Sequence, residues 1–578
     1  MTEALPLLIL LPFAASVLCL LARLLRRLLL AQVVAVLSLG GILLILGLLL
    51  PVLHSQGGLT YSMGGWPEPL GIALNFDTLA WSSSVMGTVV GLCALLFAIG
   101  ERKYDSDFYF FFLLLVAGME GVILTGDLFN MFVFIEIVSI SSYILIAYSL
   151  SRDSLWACLR YLLLSSLSIF LFLLGLFLVY RIMGTFSLRL ITASLSSAGG
   201  TVPPAASDSA SGTAKALGLA VAALTVGIGL KAAFVPLHTW LPDAHAAAPH
   251  PVSALLSGVM IKVSFLAVWR ILAALGTTGL QALFRWIGPL TALLAVGLAL
   301  CQTDSKRLLA FHSVSQMGLI TAAFGAAAGG GSAGLSASLA HILSHSLFKS
   351  LLFLSVGAAI HLTGERDLQR SSAISTPPWL MPFFLVGALS ISGLPPFNGF
   401  VSKTLVVSLF KSSPLLATAL RLAAVGTAAS MIKLSGMFRR GRMEPLAADE
   451  AVVGSGRSAP SPFFLIPLSL LALLCLAGGI APRFLIGSLV VSATGEPSGG
   501  FPSAYTAEHL IESGIYAALA AGVYLLIRTH RASRVLKRIR DLRLSLDGSL
   551  VLIVAAVVLF VVLGGILRGG FPSALFSR

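Results

Sequence analysis

Residues 231–262 read KAAFVPLHTWLPDAHAAAPHPVSALLSGVMIK. Lys231 lies in one apolar run and Lys262 near the middle of the next, with Pro236, Pro242, Pro249 and Pro251 between them. Both runs otherwise have the composition of membrane-spanning helix. A charge at the bilayer centre costs roughly 2.5–3.5 kcal/mol on insertion scales. Glu136, Lys349 and Lys403 sit in runs of the same kind. Five such charges are unfavourable unless they serve a path, so the pattern predicts an ion or proton pathway through a membrane.

The rest of the chain agrees. Of its 578 residues 57% are hydrophobic and only 10% charged, with mean hydropathy +0.98. Water-facing surface of a soluble protein this size would need more charge. Apolar runs long enough to span roughly 30 Å of hydrocarbon recur almost end to end, about sixteen in all. The expected fold is an all-α polytopic membrane protein. The first run has no small-residue cleavage site and reads as a retained helix.

The net charge of +14 does not indicate nucleic acid. The basic residues fall in alternate loops: Arg23, Arg26 and Arg27, then Arg102 and Lys103, Arg152, Lys306 and Arg307, Arg366 and Arg370, Arg439 to Arg442, and Arg528 to Arg543. By the positive-inside rule these loops are cytoplasmic and both termini lie outside, in a cell inner membrane. The five cysteines are scattered singly, with no CxxC or metal spacing, and read as small core residues. Loops 183–213, 438–460 and 486–507 are rich in small and polar residues and read as irregular connections. Residues 529–546 carry Val535, Ile539, Leu542 and Leu546 at helical spacing among basic side chains. That is a basic amphipathic helix at the cytoplasmic interface, resting on anionic lipid or on a neighbouring subunit.

A second interruption, Gly393-Leu-Pro-Pro-Phe-Asn-Gly399, follows about 20 apolar residues and precedes only about a dozen before Lys411. It reads as a discontinuous helix, whereas the first break is also compatible with a loop between two helices. Paired breaks in two halves point to inverted repeats around a central site. Their freed backbone groups require protein or water partners, implying hydrated cavities beside Lys231 and Lys403.

A desolvated lysine can exchange a proton near neutral pH, which an arginine cannot. Glu136 is the lone carboxylate of its run and a natural partner for Lys231; the alternative is a fixed buried ion pair. His341, His345 and Lys349 recur at i, i+4 and i+8 on one helical face, a proton relay or a set of interhelical hydrogen bonds. His312, His238 and Glu120 are further candidates, although Glu120 lies one turn from its helix end and can also snorkel to the interface. His238, His245 and His250 share one segment without cysteine, and no metal is expected there. Arg160 and Lys433 read as interfacial anchors. No phosphate loop, dinucleotide fingerprint or nucleophile elbow is present, and no cofactor is expected.

These segments resemble a known family. Gly126-Asp-Leu-Phe-Asn-Met-Phe-Val-Phe-Ile-Glu136, the 231–245 and 252–262 segments, Asp304-Ser-Lys-Arg-Leu-Leu-Ala-Phe-His312, His345-Ser-Leu-Phe-Lys349 and Gly393 to Lys403 are similar to antiporter-like subunits. Those subunits occur in respiratory complex I, Mrp-type cation/proton antiporters and energy-converting membrane-bound hydrogenases. The likeness covers roughly residues 70–440. It implies two inverted five-helix repeats (107–275 and 284–437), flanked by N-terminal helices in 1–100 and C-terminal helices in 461–578. It also implies proton translocation along Glu136, Lys231, Lys262, His341, His345, Lys349 and Lys403. Partners would be other membrane subunits, lipid, and protons either alone or with sodium. Where some members carry glutamate at the last site, this chain has Lys403. The 529–546 helix, at most about 27 Å long, is too short to bridge several subunits. The reading from residues alone leaves two rivals: a stand-alone transporter of a small solute, and a scaffold with relic charges.

Overall fold

In a computed structural model the described residues are 2–197, 210–276, 278–328, 331–372, 374–438, 461–490, 504–542 and 545–568. Among them fourteen helices are long and apolar enough to cross a membrane. Counted with the bent pair near the C-terminus they make as many as fifteen, and the short helices Leu380–Ser392 and Asn398–Ser408 flank a further interruption. The protein is a multi-pass membrane protein.

Helices α1 (Leu7–Leu24), α2 (Leu28–Gln56) and α3 (Thr78–Glu101) come first. Then α4 (Ser106–Leu124), α5 (Leu128–Ala147), α6 (Arg152–Met183), the short α7 (Leu188–Ser197), α8 (Ala210–Ala232), α9 (Leu241–Ala247) and α10 (His250–Ala274) follow. The second set is α11 (Thr278–Cys301), α12 (Ser305–Ala326), α13 (Ser332–Thr363), α14 (Leu380–Ser392), α15 (Asn398–Ser408) and α16 (Pro414–Ser435). Helices α17 (Pro462–Ile480), α18 (Ala507–Ile527), α19 (His530–Asp541) and α20 (Leu546–Arg568) complete the chain. Each set crosses five times, and the fourth crossing of each is interrupted: α8/α9 in one, α14/α15 in the other. Arg160, Arg307, Arg366 and Arg540 line one cleft of about 480 Å³ together with Asp153, Asp243, Asp304 and Asp541, which marks the face of the basic loops. The first set starts at that face and the second at the opposite one, so the two are inverted.

Three features differ from the sequence reading. Residues 51–75 hold a hairpin, β1 (Leu59–Ser62) paired antiparallel with β2 (Ala73–Phe76), Leu59 opposite Phe76. Loop 183–213 contains α7, which buries Leu188, Ile191 and Leu195; its residues 198–209, and most of loops 438–460 and 486–507, lie outside the described residues. The amphipathic helix ends at Asp541, and 543–544 are likewise outside the described residues. Its Val535 and Leu542 are exposed, while Arg540 donates to Thr303 Oγ1 at 3.2 Å.

The breaks are satisfied by protein groups, as hydrocarbon surroundings demand. After α8, Trp240 Nε1 donates to Leu230 O at 2.8 Å and Val235 N to Thr291 Oγ1 at 3.2 Å. After α14, Gly393 adopts φ +75°, a left-handed helix cap that glycine favours. Gly399 N and Asn398 both bond the Ser390 hydroxyl. A Cβ on Gly399 would lie 1.8 Å from Ser390 O, so only glycine lets α15 approach α14 this closely. The first break is therefore an interrupted crossing and no simple loop. Short α9 carries on toward the basic face, where Asp243 accepts from Arg160 at 2.6 Å and from Arg307 at 3.0 Å.

Candidate functional site

The motif at the start of α5 turns out to be architectural. Asp127 caps the helix by accepting from Asn130 N at 2.8 Å, and Asn130 Nδ2 donates to Thr125 Oγ1 at 3.0 Å. A Cβ on Gly126 would meet Asn75 at 2.3 Å, so this glycine lets the hairpin dock. The cap fixes the rotation of α5 and so the direction of Glu136, about two and a half turns on.

Lys231 is buried where α5, α6 and α8 converge. Its Nζ donates to Ser139 Oγ and Ser165 Oγ, each at 2.6 Å. It also stands 5.6 Å from the Tyr161 ring centroid, an attractive position for a desolvated cation. Tyr161 stacks on Trp240 from the break at 3.9 Å. Glu136 is close enough to interact with Lys231 electrostatically, but the two make no direct ion pair, and Glu136 Oε1 meets no protein partner. Lys231 instead bonds Ser139, one turn from Glu136 on the same helix.

A second group runs from α10 to α15. The turn Leu256–Met260 in α10 is a π-helix, a distortion frequent at functional sites. Within it the Ser257 carbonyl accepts from Lys262 Nζ, and Ser257 Oγ meets Ser313 Oγ at 2.7 Å. Lys349 Nζ donates to Leu309 O on α12. His341 Nδ1 lies 3.0 Å from Ser402 Oγ, and its ring is 6.1 Å from that of His345. Both nitrogens of His245, His312 and His345 are buried without a protein partner. Lys403 Nζ donates to Ile391 O, one of the last-turn carbonyls that a helix end leaves free. Lys262, Lys349 and Lys403 each lie within electrostatic reach of His345. Beside Lys403 opens a narrow cleft of about 40 Å³ lined by Ser315, Gln316, His509, Glu512 and Tyr516. The two groups share no hydrogen bond or ion pair among the described residues.

Three expectations need correction. Glu120 does not snorkel. It is 2% exposed, accepting from Ser84 Oγ at 2.6 Å and Thr88 Oγ1 at 3.4 Å, because α3 covers the helix end. Arg160 is tied to Asp243 and to Ser549 on α20, and Lys433 donates to Leu300 O and Gln302 O at 2.8 and 2.6 Å, capping α11. Both are internal links, not lipid anchors. His238 is buried with Nδ1 unpartnered, but joins neither group. Ser139, Ser165, Tyr161 and His245 were missed as site residues. The i+3 spacing of Ser139 from Glu136 was the one available signal.

Residues 125–429, more than half the chain, match the model for the NADH:quinone oxidoreductase/Mrp antiporter transmembrane family. The chain belongs to this family. It is 32% identical to the D-type component of the Na(+)/H(+) antiporter of Alkalihalophilus pseudofirmus, over 69% of this chain and 78% of that protein. Two solved structures share the fold of this antiporter-family chain. A chain of the membrane-bound sulfane sulfur reductase, an archaeal respiratory membrane complex, gives TM-score 0.74 at 26% identity and covers 90% of this chain and 100% of its own. A chain of the Mrp complex from Dietzia sp. gives 0.74 at 25% identity, covering 88% and 99%.

Proposed function

We propose that this chain moves protons across a cell inner membrane as one subunit of a multisubunit complex. The observation that carries the reading is the continuous group from Lys262 to Lys403. Each lysine there is held by a neutral main-chain oxygen, and unpartnered imidazoles lie between them. A lysine so held loses its proton without stranding a buried counter-charge, and a histidine passes it on. Protons reach the face opposite the basic loops through the cleft beside Lys403. The Glu136–Lys231 group acts as the switch. When Lys231 is charged its field disfavours a second charge farther along, and its swing between Glu136 and the serines sets that field. Exchange against sodium, or redox chemistry in a partner subunit, supplies the energy, and the chain needs no cofactor of its own.

The test is Lys403→Ala in membrane vesicles containing the intact complex. Assembly is expected to persist while proton transport falls. Transport at the wild-type rate would remove Lys403 from the path.

A further inference from the structure

The end of α3 holds a charged cluster outside both groups. Glu101 precedes the basic pair Arg102 and Lys103, and its side chain is fully buried. Its Oε1 lies 3.0 Å from Lys103 Nζ, 3.7 Å from His361 Nδ1 and 3.9 Å from His250 Nε2. Its Oε2 accepts from the Tyr104 hydroxyl. Burial, and then the neighbouring carboxylate, hold the Tyr104 phenol well above its ordinary value, so it remains a donor. Both imidazoles keep a little exposure, 11% for His250 and 15% for His361, so the cluster touches solvent at the basic face through histidine. Gly357 on α13 makes room for His250: a Cβ there would lie 2.7 Å from it. His250 Nδ1 faces inward without a protein partner.

Inward from the cluster, Lys306 Nζ donates to Ala248 O, and Ser253 Oγ bridges Ala248 O and His245 O. His245, between the Trp240 and Phe353 rings, is within electrostatic reach of Lys306, Lys349 and Lys262. From His361 to Lys349 is twelve residues of α13, or about 18 Å of helix, and His245 stands between the two levels.

We propose that Glu101, His250 and His361 form a proton-collecting site at the basic face, which delivers protons through His245 to Lys349 and Lys262. This rests on the conduction reading above. A water proton binds a Glu101 carboxylate oxygen as its O–H bond to water breaks. An imidazole nitrogen takes that proton and releases its own from the opposite side, and the Lys349 amine receives it. The facing charges are Lys103 beside α3, Lys306 on α12, with Asp304 next to it, and Arg366 after α13; α17 contributes only the Phe464 ring against His361.

The experiment measures proton uptake by the native complex in inverted vesicles, whose outer surface is the basic face, while the external pH is varied through neutrality. Glu101→Gln is expected to slow uptake about tenfold or more, as loss of a proton-transfer group does, and to flatten its pH profile; Glu101→Asp restores part of the rate. His361→Gln should shift the profile with a smaller loss of rate. If Glu101→Gln fails to assemble, His361→Gln and His250→Gln decide. Wild-type rate and profile in these variants, with Lys262→Ala blocked, would overturn the collecting site and leave the conduction reading intact. Free transport in Lys262→Ala would overturn both. A lower yield of complex with an unaltered profile would mark the cluster as structural and also overturn the proposal.

Discussion

Lys231 and Lys403 stand beside the two interrupted crossings, but they are held by different chemistry. Lys231 bonds two serine hydroxyls from neighbouring helices, with Glu136 and the Tyr161 ring nearby. Lys403, like Lys262 and Lys349, bonds one main-chain carbonyl and makes no ion pair among the described residues, although Glu512 lines the cleft beside Lys403. Between Asp243 and Glu444 the only acidic residues are Asp304, Glu365 and Asp367, all at the basic face. The Lys231 site thus surrounds its charge with two hydroxyls, a ring face and a nearby carboxylate, whereas Lys262, Lys349 and Lys403, spread over both repeats, each meet a single neutral carbonyl. The unlike electrostatics divide two groups of side chains, not the two inverted repeats.

Substituting arginine breaks the comparison most severely. Arginine keeps the charge but does not release a proton near neutral pH. Lys262→Arg and Lys403→Arg are expected to lower transport by about 100-fold, the scale of a lost proton-transfer group, whereas Lys231→Arg should retain a substantial fraction. Equal losses at all three positions, measured as dye-reported proton uptake, would erase the distinction. A double-mutant cycle on transport rate, Glu136→Gln with Lys231→Met, comes next. The pair should couple by roughly 0.5–3 kcal/mol despite lacking direct contact, and simple additivity would show that Glu136 does not sense Lys231.

Two serine experiments sharpen the contrast with smaller effects. Ser139→Ala with Ser165→Ala leaves a buried ammonium without its partners, and each lost bond should cost about 1–3 kcal/mol in a thermal or denaturant melt. Ser257→Ala, by contrast, preserves the carbonyl that Lys262 uses and removes only the hydroxyl bond to Ser313. A loss of about 0.5–1.5 kcal/mol with near-normal transport is expected. Severe loss of transport in Ser257→Ala would mean that Lys262 depends on the side chain after all.

The spans and lysines were legible because charge in an apolar run is rare and self-announcing. So was the second break, where Gly393 and Gly399 do what their sequence context demands. The lysines' partners were not. Main-chain oxygens have no sequence signature, and the π turn at Leu256–Met260 arises within an unremarkable Leu-Ser-Gly-Val-Met. The direct Glu136–Lys231 pairing was expected from two lone charges, but serine is common in apolar helices and its role as the partner of Lys231 cannot be read from one strand of text. Glu120 and Glu101 were misjudged or passed over for one reason: proximity to a helix end looked like exposure, and packing by other helices decided otherwise.

The C-terminal helices have a mechanical consequence. Helix α18 packs against α16 of the second repeat, while α20 packs against α8 of the first, and Arg160 holds Ser549 of α20 at 2.8 Å. Between them α19, about 18 Å long, runs along the basic face and is tethered at Thr303. The chain thus buckles its two halves together with its own tail. A buckle of this kind resists rocking of one half against the other.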